Sequence, residues 1–124
     1  MHECLYQVYV EFGVENCNQC NTRYLREKGW DAKNSLLMDG GYKNKDINLQ
    51  QVIFWWTGIR KSSDLFTYKY FRPSNILDHF KNFGVPTNFD LLSVDTDAYD
   101  WFMLETILEA GFRPRVIVSE INAK

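Results

Sequence analysis

The chain has 124 residues, a formal net charge of -2 at pH 7, and 45% hydrophobic residues, with enough apolar side chains for the core of one domain spanning residues 1–124. The small negative charge argues against a nucleic-acid partner. No apolar stretch is long enough to cross a bilayer, so we expect no membrane association.

Four short apolar runs lie along the chain, and each of them ends in an acidic residue. A nearly continuous apolar run without alternation is typical of a strand that is buried on both faces of a parallel sheet. The runs therefore predict parallel strands whose acidic ends meet along one edge of the sheet. These acidic residues are Glu11, Asp39, Asp95 and Glu120.

The first third of the chain predicts a strand, a helix and a second strand. We predict the first strand over residues 6–12 and a polar turn over 13–19. A helix follows through residues 23–28, with Asn21 or Thr22 as its cap.

The second strand is predicted over residues 35–39, before a polar loop over 42–50. The aromatic segment Val52–Trp56 comes next. Its periodicity does not distinguish helix, strand and exposed patch.

The remaining elements continue the same rhythm. Alternating aromatic residues predict a strand over 65–71, and Pro73 is placed at the start of a helix that continues through Phe80. A strand over 89–94 follows. A helix over 100–110 comes before the last strand, over 115–121. On that last helix, four apolar residues are predicted to share one face, namely Trp101, Leu104, Ile107 and Leu108.

Alternating strands and helices predict an α/β fold. We expect a Rossmann-like three-layer sandwich with a mostly parallel sheet of about five strands in the order 3-2-1-4-5. In such a sheet, ligands bind where the strand order reverses, at the carboxyl ends of the strands. This places the expected crevice over Gly13 and Asp95.

Two features at this edge suggest a nucleoside site. Gly13 directly follows the first strand, where a glycine lets the backbone turn tightly beside a ligand, although a plain strand-to-helix turn is also compatible with it. The full dinucleotide fingerprint is absent. Asp39 ends the second strand, where an acid can accept hydrogen bonds from ribose hydroxyls or simply close a turn before Gly40 and Gly41.

A cluster of acidic residues follows the fourth predicted strand. Asp95, Asp97 and Asp100 have the spacing and oxygen ligands that could hold Mg²⁺, or one of them could act as a base. Asp100 is also placed to cap the next helix. Glu120 and Asn122, from the neighbouring strand, could reach the same place.

Cys17 and Cys20 form a C-x-x-C motif before the first helix. Such a motif can carry out disulfide exchange, although ordinary packing of small residues under a loop is the simpler interpretation. A zinc site with Cys4, His2 or His79 lacks the usual ligand spacing. Three cysteines are an odd number, which disfavours a disulfide scaffold and favours a reducing, cytoplasmic location.

Several segments, in order along nearly the whole chain, carry a family resemblance. The most specific are Asp-Leu-Leu-Ser-Val-Asp at 90–95 and Pro-Arg-Val-Ile-Val-Ser-Glu-Ile-Asn at 114–122; the others are 9–15, 20–25 and 38–41. Together they resemble the FkbM-like branch of S-adenosylmethionine-dependent methyltransferases. That family has a glycine where this chain has Cys17, and an acid where it has Asn16. A side chain at position 17 is therefore expected to crowd the cofactor.

The resemblance implies roles for the residues of the expected crevice. Glu11 and the segment Gly13, Val14, Glu15 and Asn16 would cradle the methionine part of S-adenosylmethionine. Asp39 would hold the ribose, and Asp95 would lie beside the sulfonium and the methyl acceptor. The family analogy also suggests that the acceptor is a hydroxyl or amine on a small molecule or sugar. Independently of the resemblance, Asp97 or Glu120 could accept the proton of the acceptor or hold a metal ion that does so.

Two departures from the family affect the expected function. Residues 50–64 look like an insertion, and the chain ends after the fifth strand, whereas the family's sheet has two more. A non-catalytic binding or assembly module is therefore a second hypothesis, with a homodimer formed through the aromatic patch or a bare sheet edge. A small thiol oxidoreductase built on Cys17 and Cys20 is a third.

Overall fold

The computed structural model describes residues 7–52, 56–57, 72–73, 75–95 and 100–119. Strands and helices alternate along most of this length. In chain order the elements are β1 (Tyr9–Phe12), α1 (Arg23–Glu27), β2 (Leu36–Asp39), a 3₁₀ turn (Lys45–Ile47), β3 (Leu49–Gln51), β4 (Trp56–Thr57), β5 (Arg72–Pro73), α2 (Ile76–Asn82), β6 (Asn88–Val94), α3 (Asp100–Glu109) and β7 (Arg113–Ser119).

Five of the strands form one sheet in the order β3-β2-β1-β6-β7, and every neighbouring pair in it is parallel. Counted within this sheet, the order is 3-2-1-4-5, which confirms the predicted α/β, Rossmann-like architecture. β4 and β5 form a separate antiparallel pair. The chain runs outward from β1 to β3 and then returns to β6 on the other side of β1. The strand order therefore reverses between β1 and β6.

Side chains from both faces of β1 are buried, as expected for a central parallel strand. Val10 and Phe12 belong to the larger core cluster, which includes Phe80 of α2 and Ile107 of α3. Tyr9 points to the other face, into a smaller cluster against which Leu25 of α1 packs. Helices thus cover both faces of the sheet, as in a three-layer sandwich.

The third strand of the sheet corrects one sequence prediction. Residues 42–50 were expected to form a loop, but Leu49–Gln51 pairs with β2 in parallel register. Leu49 is buried beside Tyr9 and Leu37, so a single well-packed apolar side chain anchors a strand that is otherwise polar. The strand expected over 65–71 lies outside the described residues, as does most of the insertion expected over 50–64.

The starting point of α2 and the buried face of α3 also differ from expectation. Pro73 lies in β5, and α2 begins at Ile76. The buried apolar side chains of α3 are Met103 and Ile107, and Leu104 packs against the same core, whereas Trp101 is 67% exposed. Trp101 lies about 200° around the helix from Met103, which accounts for its exposure.

Among the described strands, β7 lies at the edge of the sheet, and its apolar side chains are exposed. The strand begins at Arg113, two residues before the predicted start. The run of Val116, Ile117 and Val118 was expected to be buried on both faces. Val116 is instead 54% exposed, and Ile117 and Val118 are also exposed. In the part of the chain that the structure describes, no helix has the length and apolar character needed to cross a bilayer.

Candidate functional site

A crevice lies where the strand order reverses, at the carboxyl ends of β1 and β6. Gly13, directly after β1, donates its N–H to the carbonyl of Met38 at 2.9 Å. On its other side, a Cβ atom at Gly13 would collide with the backbone carbonyl oxygen of Asp95, and the φ of +72° lies in the left-handed region that favours glycine. Glycine is therefore required for this close approach of the two strand ends.

The crevice has a volume of about 460 Å³, within the range of roughly 300–1,000 Å³ that is typical of small-molecule pockets. Most of its wall comes from the connection between β1 and α1, and Asp95, directly after β6, contributes the other side. The lining residues are Glu11, Gly13, Val14, Glu15, Asn16, Asn18, Gln19, Cys20, Asn21 and Asp95.

Glu11 is 3% exposed, and its carboxylate is held by four hydrogen bonds. The backbone N–H groups of Asn21 and Thr22 donate to it at 2.9 and 3.0 Å. The hydroxyls of Thr22 and Ser93 donate at 2.6 and 3.2 Å. A buried carboxylate needs such partners to offset its desolvation. Glu11 thus joins β1 to β6 and to the start of α1, and it forms the floor of the crevice.

Asp39 lies beside the crevice and is connected to its wall. Its Oδ1 accepts the N–H of Glu15 at 2.9 Å, and its Oδ2 accepts the N–H of Gly41 at 2.8 Å. The second bond closes a turn of the kind that aspartate favours before glycines. Asp39 therefore both closes its own turn and fixes the backbone of the wall at Glu15, although it does not line the crevice itself.

The wall between β1 and α1 is anchored by two buried side chains. Val14 and Cys17 belong to the smaller core cluster, and the N–H of Cys17 donates to the carbonyl of Val14 at 2.8 Å. Glu15, Asn16 and Asn18 are exposed between and after these anchors. The Oδ1 of Asn16 accepts the N–H of Asn18 at 3.0 Å. Glu15, Asn16 and Asn18 are therefore exposed on a short segment that is anchored in the core by Val14 and Cys17.

Cys17 occupies a backbone conformation that glycine would adopt more easily, with a φ of +66°. Its side chain is 1% exposed, packs in the core and does not line the crevice. The expectation that a side chain at position 17 would crowd a ligand is therefore wrong, because the residue points away from the crevice.

The sulfur atoms of Cys17 and Cys20 are paired as a disulfide. This pairing replaces the simpler interpretation of two small residues that merely pack under a loop. Cys20 is only partly buried and lines the crevice, whereas Cys17 is enclosed. The Nη1 of Arg26 lies 3.4 Å from the Cys17 sulfur. The disulfide thus connects the crevice wall to the core beneath it.

The electrostatic character of the crevice follows from its lining residues. Glu11, Glu15 and Asp95 carry carboxylates, and the remaining polar side chains are mostly amides. Among the described residues that line it, none is a lysine or an arginine. Negative potential of this kind favours cationic ligands and those rich in hydrogen-bond donors, and it disfavours a pyrophosphate.

The structure brings together most of the site residues predicted from the sequence. Glu11, Gly13, Glu15, Asn16 and Asp95 line one crevice, and Asp39 is one hydrogen bond away from it. The predicted catalytic residues, Asp97 and Glu120, lie outside the described residues.

Sequence reasoning gave no ligand-binding role to several lining residues. The sequence predicts Asn18 and Gln19 only as part of a turn, and Asn21 only as a helix cap. The amide of Asn21 donates to the Ser93 hydroxyl at 3.0 Å, across the crevice floor. One sequence feature could have indicated their role, namely the four amide side chains that follow the first buried strand at Asn16, Asn18, Gln19 and Asn21.

Asp100, considered both as a metal ligand and as a helix cap, is the first residue of α3. Its Oδ2 accepts the Ser119 hydroxyl at 3.2 Å, and its position in the first turn suits the helix dipole. Within the described ranges, no three His, Cys, Asp or Glu side chains are grouped so that they could hold a metal ion.

Comparisons of the chain with protein-family models, curated proteins and solved structures find no match. The interpretation of the crevice therefore depends on its own geometry and chemistry.

Proposed function

We propose that this domain binds S-adenosylmethionine in the crevice between β1 and β6 and transfers its methyl group to a hydroxyl or amine of a small molecule or sugar. The observation that carries the proposal is an acidic, amide-rich crevice at the point where the strand order of a parallel sheet reverses. Nucleoside ligands bind at such switch points in open α/β sheets.

Charge complementarity supports S-adenosylmethionine over a dinucleotide. The ligand carries a sulfonium and an ammonium group, and both are favoured beside the carboxylates of Glu15 and Asp95. A dinucleotide would bring a pyrophosphate to a wall whose described lining residues include no basic side chain. The resemblance of the strand ends to FkbM-like methyltransferases points to the same ligand.

In this proposal the protein acts mainly by positioning. Methyl transfer is an in-line displacement at the carbon attached to sulfur, so the acceptor atom must be held at near-attack distance opposite the sulfur. Glu11 and residues 13–16 would cradle the methionine part, and Asp39 would receive the ribose hydroxyls beside Glu15. Asp95 would lie next to the sulfonium, and Asp97 or Glu120 would accept the acceptor's proton. Mg²⁺ is an alternative partner for these acids.

Calorimetric titration tests the ligand assignment. We expect S-adenosylmethionine and S-adenosylhomocysteine to bind with dissociation constants in roughly the micromolar range, about -8 kcal/mol, and NAD and ATP to bind far more weakly. Absence of heat and of a thermal shift with both S-adenosyl ligands at millimolar concentration would refute the proposal. Equal binding of ATP would refute the charge argument.

The ribose assignment is tested separately with Asp39→Asn. We expect about tenfold weaker binding of S-adenosylmethionine, because an acceptor for ribose hydroxyls is replaced in part by a donor. Asp46→Asn, at an exposed aspartate that does not line the crevice, is the matched control and should bind as the wild type does. If Asp39→Asn binds equally well, the assignment is wrong.

A second candidate function is a non-catalytic assembly module, and the exposed edge strand favours it. Val116, Ile117 and Val118 present adjacent apolar side chains on β7, which hydrogen-bonds only to β6 among the described strands. An exposed apolar edge strand promotes pairing with another chain. In this alternative, two copies of the domain would associate through β7.

Sedimentation equilibrium tests this alternative. A dimer is expected for the wild-type protein, and Ile117→Lys should convert it to a monomer because a charge would then lie in the paired edge. Tyr24→Lys, at an exposed residue on α1, is the control and should leave the dimer intact. A wild-type monomer at high concentration would eliminate the assembly hypothesis.

A further inference from the structure

The Cys17–Cys20 disulfide has no part in the proposed methyl transfer, yet its position in the crevice wall is well defined. Cys20 lines the crevice and is reachable from it, whereas Cys17 is 1% exposed. The two residues enclose Asn18 and Gln19, which also line the crevice. The chemical state of the sulfur pair is therefore coupled directly to the wall.

The second observation is the environment of the buried sulfur. The Nη1 of Arg26 lies 3.4 Å from the Cys17 Sγ, so a guanidinium charge faces the atom that would carry negative charge after the disulfide is cleaved. Positive charge beside a sulfur favours thiolate over thiol and thus improves it as a leaving group. The accessible sulfur belongs to Cys20, and the sulfur beside the guanidinium belongs to Cys17. A reductant would therefore attack Cys20, with Cys17 as the leaving sulfur.

We propose that the Cys17–Cys20 pair is a reversible thiol–disulfide exchange site, reduced by a small dithiol that enters through the crevice. A thiolate of the dithiol attacks the Cys20 sulfur and forms a mixed disulfide. The Cys17–Cys20 bond breaks, and its electron pair stays on the Cys17 sulfur as a thiolate beside Arg26. The second thiol of the reductant, as its thiolate, then attacks the reductant's own sulfur in the mixed disulfide. Cys20 leaves as a thiolate and takes up a proton, and the dithiol becomes a cyclic disulfide.

This site also gives the crevice a redox dependence, and that part of the inference rests on the proposed function. A ligand that fills the crevice covers Cys20 and blocks the approach of the dithiol. Ligand binding and reduction are linked reciprocally. If the bound ligand stabilises the disulfide form against reduction, the disulfide form binds the ligand more tightly than the reduced form does. Reduction also releases the constraint that holds Asn18 and Gln19, so the reduced wall is less well organised for binding.

The first test measures the exchange reaction itself, without a ligand. The native protein is treated with dithiothreitol, and free thiols are counted by alkylation and intact mass. We expect two additional alkylated thiols in the reduced form, and their loss when an oxidised dithiol is added. The same count should hold in Cys4→Ser against its own baseline, and it should be absent in Cys17→Ser and Cys20→Ser. Reduction only under denaturing conditions would overturn the proposal.

The role of Arg26 is tested by the rate of reduction. The disulfide of Arg26→Gln should be reduced roughly three- to tenfold more slowly, because the leaving Cys17 thiolate loses its neighbouring charge. Lys28→Gln removes the same charge at an exposed position two residues away and should react at the wild-type rate. Equal rates in both variants would show that Cys17 is not the leaving sulfur.

The ligand-dependent test separates this inference from the proposed function. With saturating S-adenosylmethionine we expect reduction to slow by about tenfold, and the reduced protein to bind the ligand more weakly by a similar factor. If the ligand binds but changes neither quantity, the coupling is wrong and the proposed function stands. If the ligand binds neither form while reduction proceeds reversibly, the proposed function is wrong and the exchange site stands.

Discussion

Glu11 shows how one buried carboxylate can organise the crevice that it lines. Its two oxygens receive the N–H groups of Asn21 and Thr22 and two hydroxyls, so the chain that leaves β1 is tied back to the same strand. Hydrogen bonds to a charged group in a buried setting contribute more than neutral ones. The acid at the end of the first apolar run is thus a structural support for the site.

Replacement of Glu11 by glutamine should lower the free energy of unfolding by about 2–4 kcal/mol, because an amide N–H₂ would then face N–H and hydroxyl donors. Glu15→Gln is the matched control at an exposed carboxylate and should change stability by no more than about 0.5 kcal/mol. Urea unfolding measures both values. Equal stabilities for the two variants would contradict the role assigned to Glu11.

Gly13→Ala should destabilise the domain by roughly 3 kcal/mol or more, since the added Cβ meets the Asp95 carbonyl oxygen in a left-handed backbone. Gly29→Ala isolates the backbone term: its φ is also positive, but nothing lies within 4 Å of its Cβ, so we expect only about 1–2 kcal/mol. Thermal or urea unfolding compares the two variants. A smaller loss at Gly13 than at Gly29 would refute the close approach of the two strand ends.

Tyr9 predicts a loss of stability at high pH. Burial raises the pKa of its hydroxyl above the usual 10.0, and the opposing effect of the Arg26 guanidinium is smaller. The folded state therefore holds the proton more tightly than the unfolded state does. The resulting stability is fully present below the unfolded pKa of 10.0 and is lost as pH rises through the higher folded pKa.

Tyr9→Phe should remove part of this alkaline loss, measured by urea unfolding from about pH 8 to about pH 11. Tyr24→Phe, at an exposed tyrosine, should keep the wild-type slope. An unchanged slope in Tyr9→Phe would mean that this hydroxyl does not titrate differently in the folded and unfolded states.

At the residue scale, the sequence was most informative where residue type and strand position agree. Gly13 and Asp95 could be predicted to face each other, because a glycine after β1 and an acid after β6 fall at adjacent strand ends. The partners of Glu11 could not be predicted, since its contacts with Thr22 and Ser93 depend on how the wall folds back over β1.

At the element scale, the sequence predicted a strand more reliably when several apolar residues contributed to the run. β1, β2 and β6 were predicted from continuous apolar runs, and the apolar residues of these runs are buried, except for the half-buried Leu91. β3 was missed because Leu49 is its only buried apolar residue, and its partners in the sheet supply the remaining stabilisation. A short polar strand at the side of a sheet has little signal of its own.

The orientation of α3 gives a quantitative test at this scale. Ile107→Ala should lower the free energy of unfolding by about 2–5 kcal/mol, because it leaves a cavity between the helix and the sheet. Trp101→Ala removes a larger side chain but an exposed one, so we expect a change near 0.5 kcal/mol or less. Urea unfolding of the two variants measures both. The reverse order would mean that the helix is rotated from the orientation described.

At the scale of the whole molecule, the path of the chain determines where a site can form. The strand order reverses between β1 and β6, the helices α1 and α3 pack on opposite faces of the sheet, and the crevice lies at the carboxyl ends of these two strands. Acids that are far apart in sequence are gathered there because parallel strands end at the same edge. This arrangement was predictable from the strand rhythm, whereas the disulfide in the wall was not, since C-x-x-C motifs have several outcomes.

An NMR titration of isotope-labelled protein with S-adenosylmethionine tests the central claim most directly. We predict that the amide signals of Gly13, Glu15, Asn21 and Asp95 shift together on binding, while those of Gly84 and Gly111, remote from the crevice, stay in place. Shifts confined to other surfaces, or none at millimolar ligand, would contradict the proposal that this crevice holds the nucleoside.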